Sequence, residues 1–266
     1  MSKFNDAVLD GHVIAKRNVI KIRRVPEVLV WVLMSPVMFV LLFAYVFGNA
    51  IAVPDGVNYR EFLIGGIFAQ TVVFGATFTG AGIAEDMSKG IIDRFRSLPM
   101  SRSAMLVGRT ASDVIYNVLS ILFMSLTGLV VGWRIRGSIV DAIVAYALLL
   151  LFAFAFSWVM AWVGLIVPSV EVINNASFMV IMPLTFVSNA FVPIEFFPPL
   201  LQRFVEWNPV STVTQSIREL FGNAGPSTSD AWSMQHPTSY TLLWIAIILA
   251  VFVPLSIRQY RRSTLR

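Results

Sequence analysis

Few side chains in this sequence could do chemistry by themselves. The two histidines, His12 and His236, stand far apart, and there is no cysteine. Thiol nucleophiles, Cys-ligated metal centres and disulfide scaffolds are therefore excluded. No Ser/His/Asp set is readable and no His-Glu-x-x-His occurs, so hydrolysis has no evident agent and no metal site is expected. No G-x-x-x-x-G-K-[ST] motif and no glycine-rich nucleotide loop occurs either, so the chain does not hold ATP by that route. Carboxylates inside apolar stretches would serve an ion-driven carrier as relays. Asp113 is the one candidate and lies near the end of its stretch. A helix-end pair with Arg109, four residues earlier, accounts for it more simply than a relay. The energy source is expected on a partner.

What remains are uncharged polar and aromatic side chains set in apolar stretches, suited to binding rather than bond-making. Phe68, Gln70, Phe74, Thr77 and Phe78 form one group, and Asn174, Asn175, Ser188 and Asn189 a second. Polar groups in apolar spans need partners. These residues either contact an amphiphilic substrate or face lipid and neighbouring helices. Small residues, among them Gly65, Gly66, Ala69, Ala76, Gly80 and Ala81, lie along the first group. They fit close helix packing, between subunits or within one.

The elements that position these residues follow from composition. The chain has 266 residues, is 57% hydrophobic and only 13% charged, and carries a net charge of +5. A soluble domain has about 25% charged residues, so an ordinary soluble enzyme, a disordered chain and a basic nucleic-acid module are excluded. Charges are the ruler for spans, since one at the bilayer centre costs about 2.5–3.5 kcal/mol. Charge-free gaps at 28–54, 62–84, 114–133, 142–170, 172–194 and 231–257 each meet the roughly 20 residues a spanning helix needs. The fold expected is an all-α polytopic membrane protein, a single transmembrane domain over 1–266. Its six transmembrane helices are expected near 29–48, 62–83, 107–132, 140–167, 172–192 and 239–258. The first is too long for a cleaved signal peptide and is expected to persist.

Lysine and arginine set the orientation. With both termini in the cytoplasm, 15 of them fall inside and five outside, namely Arg60, Arg134, Arg136, Arg203 and Arg218. Arg134 and Arg136 are expected to snorkel to outer headgroups. Residues 6–24 place Ala7, Val8, Ala15, Val19 and Ile22 at roughly helical spacing among basic residues, fitting an interfacial amphipathic helix on membrane lipids. Residues 85–104 form a cytoplasmic loop with an apolar stripe, Ile91, Ile92, Phe95 and Leu98, stopped by Pro99. That stripe suits a membrane surface or a partner's groove. Residues 193–238 carry two short apolar stretches, 195–207 and 210–222, divided by Asn208-Pro209. They read as an outer re-entrant helical hairpin between spans 5 and 6.

Two of these segments carry a resemblance. Glu85, Asp86, Gly90, Ile91-Ile92, Asp93, Leu98-Pro99 and Arg102 resemble the cytoplasmic loop of type-2 ABC export permeases. The stretch SNAFVPIEFFP, Ser188 to Pro198, followed by Trp207-Asn208-Pro209-Val210-Ser211, is similar to that family's signature after the fifth span. Within the family the chain looks most like the daunorubicin-resistance type permeases of actinobacteria. The resemblance implies two permease subunits, copies or paralogues, each docked on a separate cytoplasmic ATPase that binds ATP and Mg. It implies a coupling helix with Glu85, Asp86, Gly90, Asp93, Arg94, Phe95, Leu98 and Pro99 in the ATPase groove, and a substrate path lined by helices 2 and 5. Arg94 and Arg96 make this loop more basic than the family pattern, which leaves the identity of the ATPase open.

The expected function is export of an amphiphilic drug-like molecule or lipid across a plasma membrane, that of a bacterium. A glycan or polymer exporter on the same fold is one alternative. A membrane immunity or assembly protein that moves nothing is another.

Overall fold

The structure is a computed structural model that describes residues 26–46, 58–91, 104–167, 169–225 and 229–262. Among them the regular elements are all helical. They are α1 (Pro26–Val46), α2 (Tyr59–Gly75), α3 (Thr77–Ser88), α4 (Ala104–Val131), α5 (Ile139–Ile166), α6 (Val170–Phe186), a 3-10 turn at Ile194–Phe196, α7 (Pro199–Trp207), α8 (Pro209–Phe221), α9 (Trp232–Gln235) and α10 (Pro237–Arg262).

Among the described residues, four stretches are long and apolar enough to cross a membrane: Tyr59–Ser88, Leu106–Val131, Ile139–Ile166 and Pro237–Arg262. Pro36–Val46 within α1 and Val170–Phe186 are shorter apolar helices, at the places of the expected first and fifth spans. Large apolar side chains face outward along the bundle, among them Val130, Met179 and Leu122. A soluble protein buries such residues, whereas a bilayer accepts them.

Short-range signals set the helix ends. Ser138 and Asp141 form a reciprocal capping box at the start of α5, which satisfies two of its free amides. Ser169 accepts from the Val172 amide to open α6. Asn208 accepts from the Val210 amide, with Pro209 in the first position of α8. Gly222, at φ +71°, ends α8 in the left-handed conformation that only glycine adopts freely.

The central helix is α5. It packs against α3, α4, α8 and α10. Its crossing with α3 is made by glycine: a Cβ on Gly164 would lie 2.5 Å from the Gly80 carbonyl oxygen. Gly66 is tighter still, because a Cβ there would lie 1.9 Å from the Ala190 carbonyl oxygen. The small residues of the second span therefore serve packing within the chain at these points.

The two short helices divided by Asn208-Pro209 form as expected, and α8 goes deep into the bundle. Ser211, Thr212, Thr214 and Ser216 are fully buried. Three of them satisfy their hydroxyls locally, Thr212 on the Pro209 carbonyl at 3.1 Å, Thr214 on that of Val210 at 2.7 Å and Ser216 on that of Thr212 at 2.8 Å.

The fifth span differs from its expected bounds, 172–192. Its helix stops at Phe186. Asn208 Nδ2 donates to the carbonyls of Leu184 at 2.8 Å and Val187 at 2.7 Å, and Ser188 Oγ donates to that of Thr185 at 2.5 Å. The last turn's free carbonyls are thus capped from outside the helix. Ser188 and Asn189 lie beyond it, in the connection to α7. The expected interfacial helix at 6–24 lies outside the described residues.

Candidate functional site

The stretch Tyr59–Ser88 is not one even helix. At Ala76 the ladder shortens, and the Thr79 amide donates to the Ala76 carbonyl, three residues back, at 3.0 Å. Beside this break lies a cavity of about 550 Å³. Gln70, Phe74, Thr77 and Phe78 reach it from α2 and α3, at i, i+4, i+7 and i+8, one helical face. Asn174, Ser177, Phe178 and Met182 reach it from α6 at the same period. Pro36 and Phe39 of α1 and Ser120 of α4 close the remaining walls. Phe74 and Phe178 meet edge to face, with ring centroids 6.1 Å apart. No lining residue carries a charge.

Of the sequence-derived residues, Gln70, Phe74, Thr77, Phe78 and Asn174 come together here. Phe68 does not. It is fully buried on the other side of α2, against Trp133, Tyr146 and Phe221. Asn175 is exposed and does not line the cavity. Ser188 and Asn189 are buried in the connection after α6, where the Asn189 amide donates to Ser211 Oγ at 3.1 Å.

Behind the break, side chains of α4 hold α3. Arg109 Nη2 donates to the Phe78 carbonyl at 3.0 Å, and its guanidinium fills the space that a side chain on Gly82 would need. Thr79 Oγ1 donates to the Asp113 carboxylate, and Asn117 Nδ2 to the Asp113 carbonyl at 2.9 Å. The expected Arg109–Asp113 pair is thus corrected. Each side chain instead reaches across to α3, and the carboxylate is buried at the helix–helix contact.

A second constellation holds the outer end together. Arg218 of α8 is 1% exposed. Its Nε donates to the Phe62 carbonyl at 2.7 Å, and Nη1 and Nη2 donate to those of Asn189 and Ala190, each at 2.9 Å. Its guanidinium carbon lies 3.4 Å from the Phe62 ring centroid. Arg136 grips Glu61 with two nitrogens, at 2.8–3.1 Å, and the carboxylate beside it holds the guanidinium in its charged form, above its usual range. Arg134 donates to the Leu129 carbonyl at 2.7 Å, and Arg60 to that of Val131 at 3.3 Å. Beyond the expected reach to outer headgroups, each arginine has a protein partner: Arg134 caps the end of α4 and Arg136 makes an ion pair. The roles of Arg218, Glu61 and Asn223 were not found by sequence reasoning, and Asn208 was read only as a divide between two short stretches, since their partners lie tens of residues away.

At the other end of Tyr59–Ser88, Lys89 and Glu85 pair at 2.5 Å. Gly90 follows at φ +63°, and Asp86 is buried. The other residues expected in a coupling loop, Asp93, Arg94, Phe95, Leu98 and Pro99, lie outside the described residues.

A family model described as ABC-2 type transporter matches residues 11–221. The chain is 33% identical over 248 residues to the daunorubicin resistance ABC transporter permease protein DrrB1 of Streptomyces coeruleorubidus, covering 93% of this chain and 84% of that protein. It is 26% identical over 230 residues to the protein named probable doxorubicin resistance ABC transporter permease protein DrrC of Mycobacterium tuberculosis, covering 86% of this chain and 80% of that one.

Proposed function

The chain belongs to the ABC-2 type transporter family, and from that premise we propose that it is one of a pair of permease subunits exporting an amphiphilic drug-like molecule or lipid. Subunits of this family are permeases and not enzymes; hydrolysis falls to an ABC ATPase, which would bind the ATP and Mg. The observation that carries the reading is the 33% identity to a drug-resistance permease, extending over 93% of this chain.

The proposed arrangement has six spans, with α1 and α6 completing the four long helices, and α7–α8 entering from the outer face. Both termini lie in the cytoplasm of a bacterial cell, and residues 6–24 lie along the inner leaflet. The loop from Glu85 to Pro99 docks on the ATPase. From there α3 leads straight to the cavity, since Ser88 and Thr77 are separated by about 16 Å of helix at 1.5 Å per residue. Movement of the loop on ATP binding would be delivered along α3 to Thr77 and Phe78. The brace from Arg109 and Asp113 keeps α3 moving with α4. Substrate would pass between the α2–α3 and α6 faces, where Gln70, Phe74, Thr77, Phe78 and Asn174 stand.

The test is uptake of a fluorescent anthracycline into inverted membrane vesicles that hold this chain and its ATPase. ATP-dependent uptake is expected. Equal uptake without ATP, or without this chain, contradicts the reading.

A further inference from the structure

We propose that α7 is a lipid-binding helix: the stripe made by Leu200, Phe204 and Trp207 seats in the bilayer at the headgroup–acyl boundary, beside the end of α10 that begins with Pro237. The inference needs only that the chain sits in a membrane, and holds whatever the chain exports.

The nine residues of α7 are turned the opposite way from a helix on a soluble protein, which faces its apolar stripe inward. The line of α7 that faces the protein is Gln202, Val205 and Glu206. Val205 is fully buried. Gln202 Nε2 donates to the Phe197 carbonyl at 2.8 Å and to that of Glu195 at 3.4 Å. Glu206 accepts from Ser229 Oγ at 2.7 Å, and its main-chain carbonyl accepts from Ser233 Oγ at 2.5 Å. The polar side is thus tied down within the chain. Leu200, Phe204 and Trp207, at i, i+4 and i+7, form the opposite face, and all three are exposed.

What covers that face follows from what it abuts. The Trp207 ring meets Tyr240 of α10 edge to face, with centroids 5.4 Å apart. Tyr240 also meets Trp232 at 5.9 Å and Trp244 at 6.3 Å. It lies about 5 Å along α10 from Pro237, at 1.5 Å per residue. Leu243, Ile247 and Val251 follow it at i+3, i+7 and i+11, one stripe of α10, and all three are exposed. That stripe belongs to a stretch long and apolar enough to cross a membrane, so hydrocarbon is its neighbour. The α7 face continues it at the Pro237 end. Tryptophan and tyrosine suit this depth, because each has an apolar ring and a polar group that stays wet. Arg203, exposed at the side of the stripe, can extend its guanidinium to headgroup phosphates.

Other occupants fit less well. Water would be left against Phe196, Leu200, Phe204, Trp207 and Trp232, each 47–83% exposed, an apolar patch of the kind that soluble surfaces avoid. A second copy of the chain would have to cover α7 and the adjoining α10 stripe together, and so displace lipid from a face that already suits it.

The chain has no cysteine, so single cysteines can carry spin labels. Leu200→Cys, Phe204→Cys and Ile247→Cys are each labelled in the full chain, with whatever subunits copurify, in vesicles of phosphatidylcholine and phosphatidylglycerol. Relaxation of the label by oxygen, which concentrates in hydrocarbon, is compared with relaxation by a water-soluble nickel chelate. At positions 200 and 204 oxygen should act at least about threefold more strongly than the chelate, as expected of a face about 5–10 Å into the boundary. The ratio should be larger at Ile247, which lies about 10 Å further along α10 than Tyr240. Leu200 is 83% exposed, so its replacement does not put folding at risk, and size-exclusion chromatography checks each variant. A chelate that reaches positions 200 and 204 as well as oxygen does would put the stripe in water and overturn the proposal. Labels reached by neither would put it under protein, a second copy included, and overturn it equally. A ratio at both positions as large as that at Ile247 would put the stripe in the acyl core and overturn the boundary placement.

Discussion

Arg218 donates to the main-chain carbonyl of Phe62 at 2.7 Å while its guanidinium carbon lies 3.4 Å from the ring of the same residue. The arginine is fully enclosed, and the partners that satisfy it are carbonyls rather than a carboxylate. It fastens α8 to α2 and to the connection after α6. Removing it orphans three buried acceptors at once. We expect Arg218→Ala to cost on the order of 3 kcal/mol or more. Arg218→Lys should recover only part, because an ammonium cannot reach three carbonyls in the planar fork geometry. Thermal unfolding of the purified protein in detergent measures both, and a melting temperature unchanged in Arg218→Ala would remove this clamp from the account.

The close approach at Gly66 leaves no room for a methyl group. A Cβ would lie 1.9 Å from the Ala190 carbonyl oxygen, a backbone atom held by Arg218. Gly75 differs, for there the nearest atom is the Asn117 side-chain oxygen at 3.0 Å, which can turn away. Gly66→Ala should therefore abolish folded protein in the membrane while Gly75→Ala is tolerated. Folded yield by size-exclusion chromatography reads the contrast, and equal yields would contradict it.

Asp113 separates a brace from a relay. Its carboxylate accepts from Thr79, and an asparagine oxygen can accept in the same place. Asp113→Asn should keep at least half of the export rate, whereas Asp113→Leu, which breaks the tie to α3, should lose most of it. Loss of export in Asp113→Asn at unchanged folded yield would point to proton relay instead. The vesicle uptake rate is the measurement.

How much of this was legible depends on the distance over which each residue acts. Charge-free gaps marked the apolar helices found among the described residues, and Asn208-Pro209 marked the divide between α7 and α8, because both signals are local. The cavity residues on α2 and α3 shared a face by spacing, so Gln70, Phe74, Thr77 and Phe78 could be grouped in advance. Phe68 was grouped with them wrongly. Two residues from Gln70 is about 200° around a helix, and it points to Trp133 instead. The early end of α6 was hidden because its caps include Asn208, 24 residues beyond Leu184. The Arg136–Glu61 pair joins residues 75 apart. Arginine in a nominally outer segment reads as solvated, and only the packing of α8 reveals that Arg218 is enclosed.

The central claim is that this permease is driven by a separate ATPase through the loop that begins at Glu85. The most direct measurement is affinity purification of the chain from its native membrane with mass spectrometry of what stays bound. It is run beside a variant carrying Asp93→Ala, Phe95→Ala and Leu98→Ala. The account predicts an ABC ATPase with the parent chain, lost from the variant while the permease remains folded. No ATPase with the parent chain, or an ATPase retained by the variant at equal amount, would contradict it.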